Sequence, residues 1–163
     1  MTLYHASTVI IQRPDVMHSR ERLDFGKGFY VTVIREQAEK YAERFLRKGK
    51  EAYINVYEIC GDLSCFSKKE FTAYDEEWLD YVMYCRQGMI PDLYDWVAGG
   101  IADDKVFNTI DLYFTNMISK EEALRRLIYE KPNYQICISN QKLLSECLLF
   151  KEAIKLPIEY VGK

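Results

Sequence analysis

The sequence has little with which to bind a metal. Its only histidines are His5 and His18. Its five cysteines, Cys60, Cys65, Cys85, Cys137 and Cys147, form no CxxC pair and do not cluster with them. Such a set argues against zinc. An odd number of scattered thiols suits a reducing compartment, and several lie in apolar stretches where cysteine packs as a small core residue. Basic excess is also missing: the net charge is −3, which argues against a protein whose affinity comes mainly from neutralising phosphates. No apolar run approaches the ~20 residues of a membrane-spanning helix. Met1 to His5 lacks the basic-then-apolar pattern of a secretory leader. The expectation is a cytoplasmic protein with no metal and no membrane segment. Repeats and low-complexity linkers are absent too.

What is there suits one domain, 1–163, with a sizeable core. Hydrophobic residues make up 48% and charged residues 29%, an ordinary globular composition. The 13 tyrosines are enough to line a polar-edged cleft as well as a core. The stretch Asp24-Phe25-Gly26-Lys27-Gly28-Phe29-Tyr30-Val31-Thr32 stands out. Glycine lets a backbone turn sharply or approach a ligand closely, and Phe29 to Thr32 has strand composition. One reading is a loop lying against a small molecule, with a strand holding Tyr30 in a fixed direction. The other is a tight turn entering a core strand. Val31 stands where a dinucleotide fingerprint has its third glycine, and the Lys-Ser/Thr ending of a P-loop is absent.

Strands and helices are interspersed without strict alternation, which predicts a mixed α+β domain. Leu3 to Ser7 reads as a first strand that fixes His5, and Val9 to Ile11 as extended. Ala38, Tyr41, Ala42, Phe45 and Leu46 fall on one face of a helix from Arg35 to Lys48, capped by Gly49. Ala52 to Ile59 reads as a strand, and Leu63 to Phe66 as a further short one. Asp75 caps a helix to about Arg86, with Trp78, Leu79, Val82 and Met83 buried. After Pro91 comes extended Tyr94 to Ala98. Asp103 or Asp104 caps a helix, and Ser119 with Glu122 makes a capping box for Lys120 to Tyr129, which Pro132 ends. Tyr134 to Ser139 is a strand, Asn140 caps a helix through Leu144, and Leu148 to Ile154 is extended.

Four stretches together resemble a known family. They are Leu3-Tyr4-His5-Ala6-Ser7, the glycine stretch, Gly100-Ile101-Ala102-Asp103-Asp104 and Gln135-Ile136-Cys137-Ile138-Ser139. They look like those of small bacterial proteins of unassigned function placed in the ADP-ribosyltransferase superfamily. The resemblance spans most of the chain, and the glycine stretch is its most specific part. It implies an ADP-ribosyltransferase-like split β-sandwich: two small, mostly antiparallel sheets with flanking helices and NAD between them.

Histidine-class members use a His, a Tyr and an acidic residue on three strands. By position, the resemblance implies His5 against the ribose beside the nicotinamide, backbone around Ala6 on the carboxamide, and Tyr30 stacked on the ring. Gln135 takes the acidic residue's place. Ser7, Gly26, Lys27, Gly28, Thr32 and Asp104 join them around NAD. Gln135 is neutral: it can hold a ribose hydroxyl but cannot act as a base. Asn133 is not acidic either, and Ala6 stands where many relatives have Gly. Asp103 or Asp104 offers a carboxylate. Lys27, Arg20 and Arg22 are candidates for phosphate contact or solvated loop cations.

The chemistry suits these residue types. Breaking the nicotinamide–ribose bond creates an oxocarbenium-like centre, as in glycoside hydrolysis. A stacked aromatic and fixed hydrogen bonds orient the sugar, and a carboxylate stabilises the developing charge. The expectation is an NAD-dependent enzyme that transfers ADP-ribose to a macromolecular acceptor, protein or nucleic acid, or hydrolyses NAD. Its type would be a bacterial toxin with a cognate antitoxin partner. The alternative is an inactive nucleotide- or protein-binding module on the same fold.

Overall fold

The computed structural model describes residues 1–89, 93–102, 104–128 and 133–158. Two small sheets carry it. In the first, β1 (Thr2–Ser7), β3 (Tyr53–Ile59) and β7 (Leu148–Lys155) run antiparallel in the order β1-β3-β7. The second has the order β2-β6-β5-β4, from β2 (Phe29–Val31), β6 (Gln135–Ile138), β5 (Trp96–Gly99) and β4 (Lys68–Glu70). Its pairings are antiparallel except β4 with β5, which is parallel. Five helices flank them among the described residues: α1 (Arg35–Leu46), α2 (Glu76–Arg86), α3 (Asp104–Phe114), α4 (Lys120–Leu127) and α5 (Gln141–Cys147).

Alternation along the strands produces three packed interiors. Leu3, Phe29, Tyr57, Ile136 and Ile138 meet between the sheets, closed by Leu143 and Leu144 of α5. Ala38, Ala42 and Leu46 of α1 cover Ile54 and Val56 on the outer face of the first sheet. Phe25, Trp78, Val106, Ile110 and Leu127 pack α2, α3 and α4 over Val97 and Cys137 on the far face of the second. The resulting order is helix, sheet, sheet, helices. This is a mixed α+β architecture with two small sheets.

Local chemistry sets the helix ends. Asp75 accepts from the Trp78 N–H, Ser119 from Glu122, and Asn140 from Lys142 and Leu143, each satisfying amide groups a first turn leaves over. Gly49 takes φ +68° after α1, the left-handed conformation that favours glycine.

Several expectations are corrected. Leu63 to Phe66 is a turn, because Asp62 Oδ1 accepts from Ser64 N at 2.9 Å and Phe66 N donates to Leu63 O at 3.0 Å; the strand begins at Lys68 instead. Val9 to Ile11, read only as extended, lies past the end of β1 and joins no ladder among the described residues, in keeping with Pro14 beyond it. Its backbone is satisfied by β3 side chains: Asn55 bonds Ile11 N and Val9 O, and Tyr57 donates to Ile11 O. Tyr41 is half exposed, edge-to-face with Phe45 and beneath the Arg44 guanidinium, so the buried face of α1 is narrower than its pattern suggested. Met83 is only half-buried, and α5 runs three residues past Leu144, to Cys147. Cys60 and Cys65 are exposed, whereas Cys85, Cys137 and Cys147 are buried. Pro91, Asp103, Tyr129 and Pro132 lie outside the described residues.

Candidate functional site

Among the described residues, one backbone bridge pairs the two sheets. Tyr4 and Thr32 exchange backbone hydrogen bonds at 2.8 and 3.0 Å, and among the described residues no further pairing joins β1 to β2. Past that bridge the strands separate. In an antiparallel ladder, residues two apart point their N–H and C=O groups the same way, so the Ala6 backbone groups face the opening, as do those of Tyr30. His5 reaches across it: Nδ1 donates to the Tyr30 carbonyl at 2.6 Å, and the ring stacks on Phe29 with centroids 4.5 Å apart. A carbonyl can only accept, so the neutral ring carries its proton on Nδ1 and leaves Nε2 as an acceptor. Burial lowers the His5 pKa, opposed by that hydrogen bond, so the imidazole is held neutral.

Tyr30 is locked by the glycine stretch. Its hydroxyl donates to Gly26 O at 2.5 Å and accepts from Phe25 N at 3.2 Å, and burial raises its pKa well above the usual value. The phenol therefore stays a donor, and the ring has a single direction. The glycines serve this arrangement. Gly26 turns with φ +78°. A Cβ on Gly28 would stand 2.6 Å from both Cys137 Sγ and Ile138 O, so its bareness admits β6, while its N–H donates to Ser19 Oγ at 2.9 Å. Lys27, between them, is half-buried.

Gln135 opens β6 opposite Gly99, and Tyr30 stands opposite Cys137. Opposed residues share a face and so do residues two apart, so Tyr30, Cys137 and Gln135 form a row on the helix side of the second sheet. His5 lies on the other side of β2, with Phe29. The three side chains do not share one face: Tyr30 and Gln135 do, and His5 meets Tyr30 at the strand edge through its carbonyl. Thr32, next in register to Gln135, is buried; its hydroxyl donates to Tyr134 O at 2.6 Å and accepts from Ile34 N at 3.1 Å. Ala6 packs toward α1, Ser7 Oγ accepts from Val9 N at 3.3 Å, and Asp104 opens α3.

Sequence reasoning missed what anchors the glycine stretch. Asp24 Oδ1 accepts from Arg86 Nε at 2.9 Å and from its Nη2 at 2.6 Å, while Oδ2 accepts from Ala102 N at 3.0 Å. The carboxylate thereby ties the loop to the end of α2 and to Ala102, ahead of α3. Arg86 also lies over the Phe107 ring, 4.8 Å from its centroid. Beside this clamp opens a cleft of about 300 Å³, lined by Arg22, Asp24, Arg86, Phe107, Asp111 and Phe114 among others. The partners are 62 residues apart, a separation that no local pattern encodes. Among the described residues, no group of His, Cys, Asp or Glu is arranged to hold a metal ion. No described helix is long and apolar enough to cross a membrane.

The trigger factor of Chlorobium chlorochromatii (strain CaD3) is 35% identical to this chain over 105 residues, covering 61% of the chain and 23% of that protein. The chain thus spans under a quarter of this curated relative. No solved structure matches it. The family model described as "Protein of unknown function (DUF3990)" matches residues 1–150, the stretch that holds the split between the sheets, the glycine loop and Gln135, and the chain belongs to that family.

Proposed function

We propose that this protein binds NAD in the split between β1 and β2 and acts as an ADP-ribosyltransferase-like enzyme. The observation that carries this reading is the His5–Tyr30 contact across the opening. It leaves Nε2 as a fixed acceptor for a ribose hydroxyl and the Ala6 backbone groups for a carboxamide. The locked Tyr30 ring, reached at the edge of the same strand, is the stacking platform. Positioning of this kind supplies much of the rate in such a reaction. The transfer would go to a macromolecular acceptor, or to water in simple NAD hydrolysis. An antitoxin-type protein partner rests on the resemblance alone.

A second reading is a nucleotide- or protein-binding module without turnover. It is favoured by the neutral amide of Gln135, and by Asp24, the carboxylate nearest the glycines in sequence, whose two oxygens are already taken. Nicotinamide release separates the two. If Gln135 stands where a carboxylate serves the chemistry, Gln135→Glu raises release about tenfold or more, and His5→Ala abolishes the gain. Equal release by wild type and Gln135→Glu contradicts the enzymatic role of that position.

A further inference from the structure

At the opposite end of β3 two cysteines lie next to each other. The β3–β7 register pairs Glu58 with Leu149 and ends with Ile59 opposite Leu148; Cys60 follows β3, and Cys147 is the last residue of α5. Just past the ladder, Cys60 N donates to Cys147 O at 2.9 Å, and Cys60 Sγ lies 3.6 Å from the same oxygen. That single backbone bond brings the two residues side by side, and a disulfide needs Cα atoms roughly 4.4–6.8 Å apart. The Cys147 sulfur lies beside Gly61, the residue after Cys60: a Cβ built on Gly61 would stand 3.8 Å from it. Cys60 is exposed and Cys147 buried, so a reagent in solution reaches one thiol and the fold presents the other.

We propose that Cys60 and Cys147 form a dithiol–disulfide site whose oxidant is a low-molecular-weight disulfide of the glutathione class. The Cys60 thiolate attacks one sulfur of the oxidant, forming a mixed disulfide and releasing one equivalent of reduced thiol. Cys147 then loses its proton to water and attacks the Cys60 sulfur, forming the protein disulfide and releasing the second equivalent. The protein loses two electrons and the oxidant gains them. Burial, with the Glu146 carboxylate adding to it, raises the Cys147 pKa, which makes the exposed Cys60 the first nucleophile. The bond would close a chain segment of 87 residues and staple the α5–β7 junction to β3. Neither cysteine belongs to the NAD reading, so the two stand or fall separately.

The experiment treats the purified full-length chain with oxidised glutathione, alkylates the remaining thiols and maps a non-reducing digest by mass spectrometry. The expected product is a Cys60–Cys147 crosslink within one chain, reversed by dithiothreitol, with Tm raised by about 5–15 °C. Cys60→Ser, at an exposed position that leaves the core intact, gains neither crosslink nor Tm. A Cys60–Cys65 bond, a glutathione adduct that persists on Cys60, crosslinks between chains, or thiols left unoxidised would each overturn the proposal. Because Cys147 packs in the core, Cys147→Ala is read only after its circular dichroism matches the wild type.

Discussion

His5 shows how one residue serves both stability and the candidate site. Its ring is held neutral by burial in the gap between β1 and β2. Its folded-state pKa lies below the ordinary 6.5. As pH falls through 6.5 the unfolded chain binds a proton that the native chain refuses, so stability drops toward acid and is recovered as pH rises. His5→Asn keeps a side-chain donor without titrating. Its urea midpoint should therefore fall less between pH 7 and pH 5 than that of the wild type, and parallel curves would show that His5 does not titrate as described. The residue types at this site were legible from sequence: His5 on a first strand, and Tyr30 held in one direction. The reason for the glycines was not. Gly28 suggested room for a ligand, yet its missing side chain is filled by Cys137 and the Ile138 carbonyl.

Among the elements, those governed by near neighbours in sequence were readable. Caps at Asp75, Ser119 and Asn140, the strands around His5 and Tyr30, and the glycine after α1 all follow from chemistry within a few residues. β4 was not readable, because Lys68-Lys69-Glu70 has no apolar pattern and becomes a strand only by pairing with β5 at the sheet edge. The Asp24–Arg86 clamp is likewise a product of tertiary structure. Its side chains are only 14% and 17% exposed, so water replaces a lost partner poorly. Arg86→Ala leaves the Asp24 carboxylate with the Ala102 amide alone and should cost about 3 kcal/mol. Urea denaturation measures it, and a loss below about 1 kcal/mol would place the pair with weakly coupled surface bridges.

For the whole molecule, one backbone bridge pairs the two sheets among the described residues, and beyond it the His5 side chain bonds the Tyr30 carbonyl where a further strand pair would stand. The sequence disclosed the α+β class and two small sheets through strand composition and the family resemblance. It could not disclose that Tyr30 and Gln135 share a face while His5 takes the other, since that depends on pairing register across 102 and more residues. The most direct measurement is calorimetric titration of the purified chain with NAD. Saturable binding of one NAD per chain, weakened about tenfold or more by His5→Ala while circular dichroism stays unchanged, is the predicted result. No heat of binding up to millimolar NAD, or equal affinity in His5→Ala, would contradict an NAD site at the split.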